Sequence, residues 1–248
     1  MKPQEFNTKF LHFHIRRILQ SILVLCSIPI YICAQGEIDT EQKVLYRNEL
    51  TGSIGLHSYG LACGARYAKH VYRLKKTVYD IQWISIHNPK EIKLSTPTGR
   101  MVYGKLNNAY ALTFAIGTQT EKFSKLDKSS VAISFIYNTG IALGIEKPVY
   151  YYIKYPDVIE RFNTSNHTKY GKAPFIYGID EIRLIPGIFI TSSAQFEYSK
   201  TDKDVKSLEF GAGIYAFARK LDIMYSNENN WLYPTLFINY RIGKVLKQ

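Results

Sequence analysis

Apolar and polar residues alternate along much of the chain, and the alternation is clearest at residues 188–198. The even positions of this stretch include Ile188, Ile190 and Phe196, whereas the odd positions are mostly polar and include Thr191 and Ser193. A period of two places successive side chains on opposite sides, which predicts a strand with one apolar and one polar face. The length of the stretch matches the roughly nine to eleven residues that a tilted strand needs to cross a bilayer.

The same alternation recurs elsewhere, at residues 61–70, 76–87, 110–117, 131–144, 208–216 and 236–243. One face of these stretches is large and apolar, and the other is small and polar, rich in Gly, Ala, Ser and Thr. In a narrow transmembrane barrel, large side chains face lipid and small ones fill the interior. We therefore predict an all-β protein, an antiparallel up-and-down transmembrane β-barrel. A soluble lipocalin-like barrel with the faces reversed is the alternative.

The number of strands depends on the first connection. Along residues 53–70 the apolar phase moves from Ile54 and Leu56 to Leu61 and Cys63, which indicates either a tight hairpin near residues 58–60 or a bulge. A hairpin gives eight strands with both termini on one side, whereas a bulge would require another strand between residues 149 and 174. We expect eight strands, and ten remain open. Short connections alternate with long ones, as in outer-membrane barrels.

The first 34 residues have the features of a secretory leader. Four basic residues precede an apolar run at residues 18–32, and Cys33-Ala34 supplies small residues before Gln35. The run is short for a membrane-spanning helix and contains Pro29, so a cleaved signal peptide is favoured over an anchor. The predicted organisation is a signal peptide at 1–34, an N-terminal periplasmic segment at 35–52 and an outer-membrane barrel at 53–248.

Charge and cysteine content narrow the function classes. The formal net charge is +12, but the lysines and arginines are scattered and form no dense stripe of the kind that nucleic-acid binding requires. An anionic membrane surface is a better partner for scattered basic residues. Cleavage after Ala34 leaves Cys63 as the only cysteine, so no internal disulfide is expected.

Aromatic residues cluster at the ends of the predicted strands. Rings at these places form interfacial girdles in membrane barrels, because each ring lies half in lipid and half in water. A stacking platform for sugar or nucleic acid is the alternative. The predicted girdle consists of Tyr67, Tyr110, Tyr151, Tyr198, Trp231 and Tyr233.

One charged pair is predicted inside the barrel. If residues 201–204 form a tight turn, the flanking strands pair so that Gln195 lies beside Glu209, and the next connection brings Arg241 close to Glu209. A carboxylate in a narrow lumen needs a partner. We predict a Glu209 to Arg241 pair, with Gln195 and Asn239 completing its hydrogen bonds.

Several short segments resemble those of a functionally uncharacterised family of outer-membrane β-barrel proteins from Bacteroidetes-type bacteria. They are His57-Ser58, His87-Asn88-Pro89-Lys90-Glu91, Tyr103-Gly104-Lys105-Leu106-Asn107, Lys147-Pro148 and Pro186-Gly187. The resemblance covers about residues 46–243 and implies an exported barrel with no established activity. The chain departs from the general class at its end, where Lys-Val-Leu-Lys-Gln follows Gly243 instead of an aromatic assembly signal.

Motifs for catalysis and for metal or cofactor binding are scarce, and we expect neither a metal nor a cofactor. His57-Ser58 with Glu49 or Glu91 could form a hydrolase of the lipid A deacylase type, although the surrounding residues do not resemble that family's motif. We expect a non-enzymatic barrel that has a structural role or presents its loops, chiefly 145–183, to a partner. The alternative is a lipid-modifying hydrolase or acyltransferase. The expected partners are outer-membrane lipid and lipopolysaccharide, and the barrel-assembly machinery during insertion.

Overall fold

The computed structural model describes residues 47–72, 74–96, 99–124, 130–153, 158–162, 169–201, 203–225 and 229–246. The predicted signal peptide and most of the predicted periplasmic segment lie outside these residues. Within the described residues, alternating sequence forms long antiparallel strands, because a period of two matches the pleat of a β-strand. The strands are β1 Asn48–His57, β2 Gly60–Tyr72, β3 Lys75–Ile86, β4 Lys93–Thr96, β5 Gly99–Val102, β6 Asn107–Phe123, β7 Ala132–Pro148, β8 Tyr150–Ile153, β9 Val158–Arg161, β10 Lys169–Lys172, β11 Arg183–Glu197, β12 Asp204–Phe217 and β13 Leu232–Leu246.

Eight of these strands close into an antiparallel barrel in the order β1-β13-β12-β11-β7-β6-β3-β2. This confirms the predicted up-and-down barrel of eight strands. β1 and β2 are joined by a hairpin at residues 58–59, and β1 pairs with β13 to close the barrel. The first strand begins at Asn48 rather than at residue 53, so part of the predicted periplasmic segment belongs to the barrel wall.

The described residues contain no helix that is long and apolar enough to cross a membrane.

The two ends of the barrel differ. At one end, here called the turn end, lie the first residues of β1, the last residues of β13 and the connections β2–β3, β6–β7 and β11–β12. At the other end, here called the loop end, lie the β1–β2 hairpin and the three long connections. Two small sheets occur in these connections, one formed by β4 and β5 and the other by β10, β8 and β9.

The register across the β11–β12 turn is the predicted one. Gln195 lies opposite Glu209, and Ile190 lies opposite Ile214. Ile190 is 61% exposed on the outer wall, whereas Ser193 is buried in the lumen. Large aliphatic residues of the wall therefore point outward, as the sequence pattern predicts. The inward face is not small and polar throughout, because it also carries large rings such as Phe189 and Tyr215.

The lumen is filled along its length. Towards the loop end it contains an apolar layer that includes Phe189, Tyr215 and Phe217. The β12–β13 connection folds into the mouth and adds Leu221 and Ile223, which are buried in the same layer. Towards the turn end the buried residues become polar and charged. An eight-stranded barrel has an interior just wide enough for side chains, and these two layers occupy it.

Candidate functional site

Four charged side chains meet inside the lumen and form a cluster that we call the charged ring. Arg66 on β2 and Asp80 on β3 come from one side of the barrel, and Glu209 on β12 and Arg241 on β13 come from the other. All four are almost completely buried, and Arg241 has no exposed surface. The inward-facing positions of four different strands therefore place two positive and two negative charges at one level.

Each arginine of the charged ring contacts both carboxylates. Arg66 Nε donates to Asp80 Oδ2 at 2.6 Å, and its Nη2 donates to Glu209 Oε1 at 3.1 Å. Arg241 Nε donates to Glu209 Oε2 at 2.5 Å, and its Nη2 donates to Asp80 Oδ2 at 2.9 Å. Positive and negative groups alternate around a closed cycle, so every buried charge has two partners of opposite sign. This arrangement offsets the desolvation that makes a single buried charge so unfavourable.

Two of the four residues predicted for the lumen network, Gln195 and Asn239, do not make the hydrogen bonds that we expected. Gln195 Oε1 accepts from Arg66 Nη1 at 3.4 Å rather than bonding the Glu209 to Arg241 pair. Asn239 lies opposite Glu209 in the register, but its Nδ2 has no hydrogen-bond partner among the described residues. Ser193 supplies the further contact instead, since its hydroxyl donates to Glu209 Oε1 at 2.6 Å.

Sequence reasoning missed Arg66 and Asp80 as members of the site. Both lie on the inward-facing side of predicted strands, and they face each other directly across β2 and β3. That adjacency could have been found from the β2–β3 turn, just as Glu209 was paired from the β11–β12 turn. Their contact with Glu209 and Arg241 could not, because it spans the lumen between strands far apart in the chain.

The charged ring closes the lumen to solutes. A small cavity of about 10 Å³ lies beside it, bounded by Arg66, Asp80 and Glu209 among others. A space of this size holds about one water molecule. Together with the apolar layer above it, the ring makes the barrel a filled structure rather than a channel.

The residues considered for hydrolysis do not form a catalytic group. His57 is buried in the lumen and stacks on Phe237 with ring centroids 5.1 Å apart. Ser58 is exposed, and its hydroxyl donates to Leu236 O at 3.1 Å. Glu49 lies at the other end of β1 in an ion pair with Lys76, and Glu91 pairs with Lys105. A nucleophile and its base must lie within hydrogen-bond reach. Ser58 and the two carboxylates bond other groups, and neither ring nitrogen of His57 has a hydrogen-bond partner among the described residues.

Two residues predicted for the aromatic girdle are inside the protein. Tyr151 is 1% exposed, and its hydroxyl donates to Lys105 O at 2.9 Å. Tyr233 is buried in the mouth and packs edge-on against Tyr59 at 5.2 Å. Tyr233 lies on the inward-facing side of β13, and Tyr151 on β8 is buried against Met101 and Val149. Both predictions were wrong because neither ring lies on the outer wall.

The other four predicted girdle residues are on or near the outer surface. Tyr67 and Tyr110 are half-buried on the outer wall, and Tyr198 and Trp231 are exposed at the ends of strands. Tyr67 stacks on Tyr79, and Tyr110 packs beside Trp83 with centroids 5.2 Å apart.

Residues 219–223 of the β12–β13 connection, here called the plug, fill the mouth and are held by a buried carboxylate. Glu146 on β7 is fully buried, and its Oε1 accepts from the backbone N of Asp222 at 2.6 Å. Its other oxygen accepts from Arg219 at 2.7 Å. The plug is also tied to the β5–β6 connection, where Leu106 N donates to Ile223 O at 2.9 Å.

Two lysines, Lys105 and Lys172, lie near Glu91 at the loop end. Lys105 Nζ donates to Glu91 Oε1 at 2.7 Å, and both side chains are almost buried. Partial burial and the neighbouring Lys105 ammonium lower the pKa of Lys172, which Glu91 offsets only in part. Burial raises the pKa of the nearby Tyr151 phenol, and Glu91 adds to this effect. The ammonium groups of Lys105 and Lys172 thus share one nearby carboxylate, that of Glu91.

The described residues contain no group of three or more His, Cys, Asp or Glu side chains that could hold a metal ion. Among known proteins, no family model, no curated protein and no solved structure matches this chain.

Proposed function

We propose that this protein is an integral barrel of the bacterial outer membrane that has a structural role or presents its loops to an external partner. The observation that carries the proposal is the outer wall of the closed barrel. Exposed aliphatic side chains surround it, at Ile54, Leu56, Leu61, Ile81, Ile116, Ile141, Ile188, Ile190, Ile214, Leu236 and Ile238. An exposed apolar surface of this extent marks a membrane or protein interface.

The arrangement of rings on the wall favours a membrane over a protein partner. Tyr67, Tyr79 and Tyr240 lie towards the turn end, and Trp83 and Tyr110 lie towards the loop end. On β3, Ile81 lies between Tyr79 and Trp83, whereas Ile116 of β6 lies beside Tyr79. An aliphatic band between aromatic rings is the pattern expected where a wall crosses lipid and its two interfaces.

The proposed partner-facing surface is the connection between β7 and β11, within residues 145–183. Phe175, Ile176 and Ile179 are exposed there, with Ile176 at 72%. Exposed apolar residues at a loop tip favour contact with another surface. The proposed partners are outer-membrane lipid and lipopolysaccharide, with the barrel-assembly machinery acting during insertion.

The lipid-modifying enzyme is the less favoured function. His57 points into the lumen while Ser58 is exposed and bonded to the neighbouring strand, so the pair offers no activated nucleophile. An altered acyl pattern of lipid A in a deletion strain would nevertheless support an enzyme and contradict the non-enzymatic proposal.

A labelling experiment tests the membrane location. In a Cys63→Ser background, we expect Ile190→Cys to resist a membrane-impermeant maleimide in intact cells, because the wall would face lipid. The matched control Tyr225→Cys lies exposed at the loop end and should label in the same cells. Ile190→Cys should label once the barrel is unfolded by heating in detergent. The Cys63→Ser parent gives the background, and equal labelling of both variants in intact cells would overturn the proposal.

A further inference from the structure

We propose that Lys105, Lys147 and Lys172 form a binding site for the phosphate of a membrane lipid, with the acyl part of the lipid lying against the exposed apolar tip at residues 175–179. The inference rests on the proposed membrane function and deepens it by naming a ligand class. These residues belong to the loop end, outside the charged ring and outside the plug.

Three separate segments bring the lysines together. Lys105 follows β5, Lys147 lies at the end of β7 and Lys172 ends β10. Lys172 is paired with Tyr151 of β8, and directly paired residues point to the same side of a sheet. Because the Tyr151 hydroxyl donates to Lys105 O, this side faces Lys105. Burial and, as the smaller cause, the Lys172 ammonium lower the pKa of Lys147, so Lys172 acts electrostatically on Lys147.

The lysines have more positive charge than their surroundings neutralise. Glu91 forms an ion pair with Lys105, which leaves two further ammonium ions. Lys147 is 4% exposed, and its Nζ donates to Tyr177 O at 2.8 Å, a neutral carbonyl. Like charges gathered in a partly buried place repel more strongly than in water. A bound dianion would remove this repulsion, and phosphate is the common biological group of that charge.

The neighbouring apolar tip favours a phosphorylated lipid over other ligands that carry a phosphate. Lys147 Nζ lies over the ring of Phe175 at 4.4 Å, so the positive site and the apolar tip are in contact. Phe175 is 57% exposed, and Ile176 beside it is the most exposed large apolar residue of this turn. A ligand with a phosphate next to hydrocarbon satisfies both features at once. Free phosphate or a phosphorylated sugar would leave the tip in water.

Lipid retention measured by native mass spectrometry tests this inference. The full chain, folded in detergent, is mixed with lipid A that has two phosphates, with the same lipid after phosphate removal, or with inorganic phosphate. We expect retention of the phosphorylated lipid and weak retention of the other two probes. Lys172→Gln should weaken retention of the phosphorylated lipid by about tenfold, the size of one lost hydrogen bond to a charged group.

Two further variants distinguish the contribution of the lysine charge from that of the apolar tip. Lys220→Gln, at an exposed lysine of the same end, is the matched control and should bind as wild type does. Phe175→Ser should weaken lipid retention without affecting inorganic phosphate. Equal retention of lipid with and without phosphate, or equal effects of Lys172→Gln and Lys220→Gln, would overturn the inference. Inorganic phosphate that binds tightly, and equally so to wild type and to Phe175→Ser, would also overturn the inference, because this result would indicate a site for free anions.

The two proposals fail in different ways. Ile190→Cys can be protected in membranes while lipid A with and without its phosphates is retained equally. In that case the membrane function stands and only the lipid site is wrong. If Ile190→Cys labels freely in intact cells, the membrane function itself is wrong.

Discussion

At the scale of single residues, the charged ring shows how a narrow lumen accommodates ionised groups. Glu209 and Asp80 each accept hydrogen bonds from both arginines, so removing one arginine affects two carboxylates. Breaking a buried ion pair is strongly destabilising, whereas removing both partners leaves a neutral interior. The energetic role of each residue therefore depends on whether its partners remain.

We predict that Glu209→Gln and Arg241→Gln each lower the free energy of unfolding by about 3–5 kcal/mol. The double variant should recover much of the loss, because Arg66 and Asp80 remain as a pair at 2.6 Å. Urea unfolding of the folded barrel in detergent micelles or bilayers measures all three values. Lys206→Gln, on an exposed lysine of β12, is the control and should change stability by less than about 0.5 kcal/mol. Simple additivity of the two ring substitutions would contradict this account.

At the scale of elements, close approach of strands requires small residues at particular positions. Gly140 on β7 faces Ala115 on β6, and a Cβ atom there would lie 1.9 Å from Phe114 O. The same glycine lies opposite Phe189, whose ring stacks on Tyr215 in the apolar layer. A side chain at this position would therefore push apart the most extensively paired strands of the barrel, or displace the rings beside them.

We predict that Gly140→Ala lowers the free energy of unfolding by about 1–3 kcal/mol, the usual effect of overpacking. Gly52→Ala is the matched control, since a Cβ atom there would meet its nearest atoms at 3.9 Å. That substitution should leave stability unchanged or slightly higher. Unfolding of the two variants under the same conditions gives the comparison. An equal change in both would contradict this prediction, because the close approach of Phe114 O to Gly140 would then have no specific effect on stability.

At the scale of the whole molecule, the lumen is closed at two levels. The plug and the apolar layer fill the half near the loop end, and the charged ring crosses the other half. Neither layer leaves a continuous passage for solutes. A wide water-filled channel appears only in barrels with many more strands.

We predict that the purified barrel produces no steady porin-like conductance after reconstitution into planar bilayers. Single-channel recording is the measurement, with an open porin reconstituted in the same membranes as the control for detection. Stable openings of a size that passes small solutes would show that the ring and the plug move apart in lipid, contrary to the filled lumen described above.

The sequence by itself determined the local features of the fold. Strand faces follow from a period of two. The phase change between Leu56 and Leu61 favoured eight strands but left a bulge open, and the observed hairpin at residues 58–59 decided between them. The Glu209 position opposite Gln195 follows from a short turn, because turn length sets register between adjacent strands. Four of the six rings predicted for the girdle lie on or near the outer surface, and their place at a membrane interface stays a prediction. The other two are buried, Tyr233 on the inward face of β13 and Tyr151 within the β7–β11 connection.

Only the tertiary structure decided which distant residues meet. Barrel closure pairs β1 with β13, and this brings Arg66 and Asp80 to Glu209 and Arg241 across the lumen. The lysines of the proposed lipid site likewise come from the β5–β6 connection, the end of β7 and the end of β10, and no periodic signal in the sequence brings these three places together. Periodicity and turn length describe neighbours along the chain, whereas contacts across a lumen or between loops depend on how the whole barrel closes.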